Sequence, residues 1–548
     1  MNAQEDDEAM DTLFTGGPIL TMCGDMPEYV EAVGVTEGII TFVGAASDAE
    51  QHMSEHTTRV DLAGRTLTPG FIDAHGHIVL AAHQIEQAWL RGEGVANIPE
   101  MIDALKAKAV ENNVQPGDWI VGAGWHPSVL AEGRAPTADE LDLVSTEHPV
   151  LAIHASAHQA SLNHKALELA GYGPGCADPK GGVIRRVEGT DIPDGYIEES
   201  PLFYVRTLVP ALAPEKYVSL MNRAMTQWAS YGFTTASECL IGAASDDFDM
   251  VRGVLAEGPL MIDVLTFAEP QTLPKARAEF GDERIGTYVD GLRIGGIKLF
   301  LDGSLGGATA WITEPYEGMA GKPNDCGVAR MTDDELIAYF DEFYPSEFQI
   351  QAHQNGDAAI DQFFIAARAA IAKYGKLDKR PVAIHCQLAR EEQWPVFNEL
   401  GVVPSLYPST MPEQIDVVAH AVGNRMHLHN ATGTATKAGV RWTSHNDAPL
   451  LVPSAMAMID GAVNRRSRAT GNAYALEVAS TVYEALQSIT STAAYQNFEE
   501  ATKGTIEVGK AADLVVLSVD PLTVDPATVG SITVAATFKS GRSIYQAA

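Results

Sequence analysis

The sequence predicts an α/β protein: a (β/α)8, or TIM, barrel accompanied by a smaller β domain assembled from both ends of the chain. Three observations carry this expectation. Eight short apolar runs alternate with helical stretches between residues 67 and 447, the pattern of parallel strands joined by crossover helices. A purely strand-like texture occupies both termini. Histidines, a lysine and an aspartate fall at or near the ends of the apolar runs, where a barrel of this kind places its chemistry.

In chain order, the first elements are short runs such as IITFVG (39–44) and TRVDLAG (58–64), separated by turn signals. The same texture returns in GKAADLVVL (509–517) and ITVAATF (532–538). Residues 1–66 and 500–548 are therefore read as one composite β domain whose formation brings the termini together. Barrel strands are expected at 67–77, 232–238, 260–267, 296–302, 348–353, 382–385, 402–407 and 440–447, within a barrel region spanning 67–499. Helices such as 357–373 and 391–400 intervene. The interval 78–231 is too long for one βα connection. It carries apolar runs of its own at 119–125 and 149–154, so an inserted subdomain over the barrel mouth is expected there.

Composition narrows the function. Thirty-seven basic against 72 acidic residues give a net charge of −35, which argues against nucleic acid or an anionic membrane as partner. The partner expected is a small-molecule substrate, and apolar segments in the insertion allow a homodimer. Five scattered cysteines without CxxC spacing form no disulfide framework. The first ten residues are acidic and polar, unlike a signal peptide. A cytoplasmic location is the expectation.

The chemistry begins at His75-Gly76-His77. Residues at i and i+2 of a strand share a face, so two imidazoles there form half of a transition-metal site. Alone, the pair reads equally well as hydrogen-bonded core histidines. Downstream, Lys298, His353, His385 and Asp447 also stand at or near strand ends, completing a set of four imidazoles, one carboxylate and one amine. Four imidazoles and a carboxylate suit zinc or a similar divalent ion. An ammonium would be repelled by such ions, but a buried lysine loses charge readily. A neutral amine can add carbon dioxide to give a carbamate that bridges two metals. The plain alternative for Lys298 is an ion pair with Asp302 or a neighbour.

The motifs GFIDAHGH, the Lys298 strand followed by DGSLGGATA, QAHQNGDAAID, AIHCQ, SHNDAPL and GKAADLVVL occur in this order. Together they resemble the amidohydrolase superfamily, and within it the amidohydrolase-3 branch that includes N-substituted formamide deformylases. The resemblance runs from about residue 11 to residue 545 and implies a (β/α)8 barrel beside a β-sandwich built from both termini. It implies that His75 and His77 hold the more buried metal and His353 and His385 the more exposed one. A carboxylated Lys298 would bridge two divalent ions, most simply zinc. Asp447 would ligate the buried metal and act as general acid/base. The implied reaction is hydrolysis of an amide, formamide or carbamate C–N bond by a hydroxide shared between the metals. Alternatives are a mononuclear deaminase or cyclic amidase, an ester or carbamate hydrolase, and a catalytically silent binding protein.

The chain departs from the pattern at Ile384, where a Glu is common, and at Gly307-Ala308-Thr309, where Ser-Arg-Thr is frequent. It also reads His445-Asn446-Asp447 in place of Gly-Ser-Asp. None of these removes a metal ligand, but the missing arginine bears on substrate charge. His445 should share the face of Asp447 and is expected to be a hydrogen-bonded core histidine, with support of the ligands as the alternative. Trp125 and His158 in the insertion, and Trp311 after the Lys298 strand, are the substrate-binding candidates. His427 and His429 lie in a polar stretch, 423–433, and are expected to be surface or loop residues.

Overall fold

Phe71–Ile72 opens a sheet of eight strands that ends at Thr443–Ser444. Between these edges lie Phe233–Glu238, Asp263–Ala268, Leu292–Phe300, Gln349–Gln354, Val382–His385 and Val403–Leu406. Each is parallel to its neighbours and follows them in chain order. The computed structural model describes residues 10–91, 94–127, 129–155, 159–210, 212–317 and 324–547.

The strands are buried along nearly their whole length, as parallel strands covered on both faces must be. Intervening helices begin and end on local signals. Asp333–Phe343 starts on a Thr332/Glu335 capping box, and Asp357–Tyr374 stops at Gly375, which has a φ of 80°. The sheet curls until its edges share a partner. Gln496 accepts a hydrogen bond from Thr443 Oγ1 at 2.7 Å and donates one to Ala74 O at 3.0 Å.

The first strand differs from expectation. The apolar run 67–77 divides at Pro69 and Gly70: Thr66–Pro69 pairs with Leu514–Leu517, and only Phe71–Ile72 joins the parallel sheet. Here the Gly70 N–H turns instead to Asp513 O at 2.7 Å. One uninterrupted hydrophobic run thus serves two sheets.

Chain from both termini builds the second of these. Leu514–Leu517, Val534–Lys539 and Arg542–Gln546 join Thr66–Pro69, Ile19–Leu20 and Tyr29–Val30 in six strands. A four-stranded sheet of Thr12–Thr15, Ala32–Thr36, Ile39–Gly44 and Thr58–Asp61 shares a core with it. Phe14, Val33, Ile40, Leu67, Leu514 and Phe538 meet there.

Leu80–Arg223 forms a separate compact unit. Its six-stranded sheet runs in the order Gly182–Arg186, Pro193–Glu199, Gln159–Leu162, Val150–His154, Ile120–Trp125, Ala88–Trp89. Helix Ile98–Glu111, capped by Asn97, contributes Met101 and Leu105 to the core that holds Trp125. All five cysteines are free. Among the described residues, no helix is long and apolar enough to cross a membrane.

Candidate metal centre

Beyond Phe71–Ile72 the chain passes through Asp73-Ala74-His75-Gly76-His77. A Cβ at Gly76 would lie 2.7 Å from Asp73 Oδ2, so only glycine fits between the two histidines. Both rings aim at one atom: Asp447 Oδ1 is 3.1 Å from His75 Nε2 and 3.3 Å from His77 Nε2. Asp447 follows Thr443–Ser444, at the opposite edge of the sheet. It has a φ of 52°, and His385 and Cys386 have 68° and 45°. A left-handed backbone costs a non-glycine residue about 1–2 kcal/mol, and such outliers gather where the surroundings impose an orientation.

The donor atoms of His75, His77 and Asp447 lie within 4.8 Å of one another. His75 Nδ1 is buried without a hydrogen-bond partner and Asp447 Oδ1 meets only the two imidazole nitrogens, neither in good hydrogen-bond geometry; a buried carboxylate oxygen so placed favours a cation. Burial, reinforced by the Lys298 charge, pushes His75 well below the usual imidazole range. Burial opposes charge on His77 too, but the Asp447 and Glu238 carboxylates outweigh it and hold that ring up at about 9. The two rings therefore differ in proton affinity although they face the same oxygen. Burial would raise Asp447, yet its contacts with His75 and His77 hold it well below the usual carboxylate range. It is an ionised carboxylate.

His353 and His385 end adjacent strands with ring centroids 4.6 Å apart, and His385 lies 5.3 Å from His75. His353 Nε2 is 3.0 Å from Gly303 O and 3.2 Å from Asn355 Nδ2, which leaves Nδ1 to face a cation. Burial, then Lys298, lowers His353 to about 4, while burial, then His353, pushes His385 well down. Both rings are neutral, the form that binds metals. Lys298 is buried in Leu292–Phe300, its Nζ 5.2 Å from the Phe300 ring. Burial pulls its amine down to about 8, and its charge acts on both His75 and His353. The Asp302 carboxylate accepts main-chain N–H groups of Asn355, Gly356 and Trp311 at 2.9, 2.7 and 3.0 Å. Four imidazoles, an ionised carboxylate and an easily deprotonated amine fit divalent ions of borderline softness.

The family model of the amidohydrolases matches residues 58–545. The chain belongs to the amidohydrolase family. It is an enzyme that hydrolyses carbon–nitrogen bonds. The chain is 26% identical to the N-substituted formamide deformylase of Arthrobacter pascens over 94% of its own length and 95% of that protein's. It is 27% identical to Protein LONG AFTER FAR-RED 3 of Arabidopsis thaliana, over 98% and 91% of the two chains. Its fold resembles the crystal structure of an uncharacterized metal-dependent hydrolase from Pyrococcus horikoshii, with a TM-score of 0.74 at 24% identity, covering 94% and 99% of the chains.

In this amidohydrolase the structure brings together His75, His77, Lys298, His353, His385 and Asp447. Trp311 is half-buried on the loop tied down by Asp302. Trp125 is fully buried within the Leu80–Arg223 unit, where its indole Nε1 donates to Ala152 O at 2.9 Å and its ring meets His154 edge-on. His158 lies outside the described residues. The second His-x-His, expected as surface or loop residues, divides in burial. His427 is exposed, but His429 is fully buried, because Arg465 folds over it and donates to its carbonyl at 2.8 Å.

Glu238 escaped the sequence reading. It ends the strand Phe233–Glu238, accepts the Val79 and Leu240 N–H groups at 2.7 and 3.0 Å, and sits 3.5 Å from His77 Nδ1. A carboxylate behind a ligating imidazole orients it. The signal was present: Glu238 occupies a strand-end position like those of the candidate ligands.

Proposed function

We propose that this amidohydrolase cleaves the C–N bond of a small amide, formamide or carbamate, using two divalent ions, zinc by the character of the donors, at the mouth of a (β/α)8 barrel. The observation that carries the reading is the convergence of His75 and His77 on Asp447 Oδ1, beside the His353–His385 pair. His75, His77 and Asp447 would hold one ion, and His353 and His385 the other. Lys298, carboxylated by carbon dioxide, would bridge them. Such ions, when bound, polarise a carbonyl and bring the ionisation of water close to neutral pH.

Asp447 supplies the proton transfers. Its ionised carboxylate accepts a proton from the attacking water and delivers it to the departing nitrogen, which cannot leave as an amide anion. Glu238 keeps His77 turned toward Asp447, and Asp302 fixes the loop from Gly303 to Trp311 beside His353. The likeness to a formamide deformylase makes N-formyl compounds the first substrates to try.

Elemental mass spectrometry on protein expressed with zinc and bicarbonate should find about two metals per chain, with release of formate or an amine from N-formyl or N-acyl compounds. One metal with undiminished turnover would remove the bridged pair. Supplemented protein that holds no metal and turns over none of these compounds would remove the whole reading.

A further inference from the structure

We propose that His445 is a positioning residue that sets the tautomer and orientation of His385, directing the His385 Nε2 lone pair toward the metal centre. The proposal rests on the reading of His385 as a ligand.

His385 Nδ1 and His445 Nε2 face each other at 3.0 Å, and the other nitrogen of His445, Nδ1, lies 3.0 Å from Ser405 Oγ. One proton must sit between the two facing nitrogens. If His445 carried it on Nε2, neutral His385 would bear its own proton on Nε2 and offer no lone pair to a cation. If His385 Nδ1–H donates instead, His385 Nε2 is free. His445 is then protonated at Nδ1 and donates to Ser405 Oγ. Only the second arrangement is compatible with ligation by neutral His385.

The relay is held on every side. His445 is fully buried, its ring stacks on Tyr407 with centroids 4.7 Å apart at 24°, and its carbonyl accepts from Ser409 Oγ at 2.9 Å. Tyr407 is fixed through its main chain by Asn430, which accepts from Tyr407 N at 2.9 Å and donates to Tyr407 O at 3.2 Å. Arg465 in turn donates to Asn430 O at 2.8 Å. A residue that merely filled space would not need both ring nitrogens placed.

Zinc affinity, measured by competition with a chromophoric chelator, and the visible spectrum of the cobalt-substituted protein test this without reference to turnover. His445→Ala should weaken binding of one ion about 10–100-fold and alter the cobalt spectrum. His445→Gln, whose Oε1 can accept from His385 Nδ1–H, should bind within a few-fold of wild type, and Ser405→Ala should fall between. His385→Ala should lose that ion. Normal affinity and spectrum in His445→Ala, with the ion lost in His385→Ala, would overturn the proposal. Retention of both ions by His385→Ala would overturn the ligand reading, and the proposal with it. If His445→Ala does not fold, the Gln and Ser405→Ala variants decide: equal affinity for both at the wild-type level overturns the relay.

Discussion

Asp447 Oδ1 stands 3.1 Å from His75 Nε2, and the two residues come from opposite edges of one parallel sheet. The donor set therefore exists only when the sheet has curled, so the fold and the site assemble together. Asp447→Asn keeps the shape of the side chain but removes the ionised proton acceptor. Turnover should fall about 10²–10⁴-fold, with the thermal midpoint close to that of wild type. Initial rates on the best N-formyl or N-acyl substrate check this, and an unimpaired rate would take Asp447 out of its acid/base role.

The strands were legible because parallel strands buried on both faces read as short apolar runs. Val382–His385 was expected at those residues and found there, and the candidate donors stood out because they fall at or near the ends of such runs. The division of the first strand was hidden, since Thr66–Pro69 and Phe71–Ile72 are equally buried and part only where the Gly70 N–H keeps to Asp513 and the Phe71 N–H turns to Gly232. His429 is a loop residue, but its polar neighbours suggest solvent where it is buried. Its burial depends on Arg465, a contact across distant sequence that no local pattern announces. Support of a ligand by His445 is legible only in the distances to Ser405 and His385, which join residues 40 and 60 positions apart.

Lys298→Met tests the bridging amine. Methionine is of similar length and carries no charge to desolvate, so the metal-free protein should be as stable as wild type without metal, or more so. Metal content should drop from about two ions to one or fewer. Elemental analysis beside a thermal melt separates the effects, and a variant that keeps both ions would exclude Lys298 as the bridge.

Asp263 carries a structural charge network. It accepts from Lys503 and, at 2.6 Å, from Lys539, which also reaches Asp513 at 2.7 Å. Burial would raise the Asp263 carboxyl, but the two ammonium groups hold it below its usual range. Asp263→Asn leaves these buried cations short of a partner. Such a break costs about 3–5 kcal/mol, to be read from chemical denaturation. A loss below about 1 kcal/mol, the range of exposed pairs, would show that water screens the cluster.

His429 predicts an acid-labile contribution to stability. Burial, then the Arg465 charge, lowers its ring from 6.5 to about 3. As pH falls below 6.5 the unfolded chain takes up the proton first, so the contribution is full above that value and is lost progressively toward pH 3. Between pH 6.5 and 5 the loss should be about 1.7 kcal/mol. His429→Gln cannot titrate, so its stability should fall less steeply over this interval in urea unfolding. Parallel slopes for the two proteins would mean that His429 ionises normally.

Gln496 links the sheet edges through Thr443 and Ala74, and its own carbonyl accepts from Gln349 Nε2 at 2.8 Å. Gln496→Leu preserves much of the volume but leaves the Thr443 hydroxyl and the Ala74 carbonyl without their partner. Unsatisfied buried groups cost about 1–3 kcal/mol each. Ala74 immediately precedes His75, and Thr443 lies on the strand leading to Asp447, so the donors should lose their common alignment. The expected result is a lower thermal midpoint together with weaker zinc binding at the His75–His77–Asp447 site, measured by chelator competition. Weaker stability with unchanged zinc affinity would show that the His75–Asp447 approach is set by the strands alone, without the bridge from Gln496.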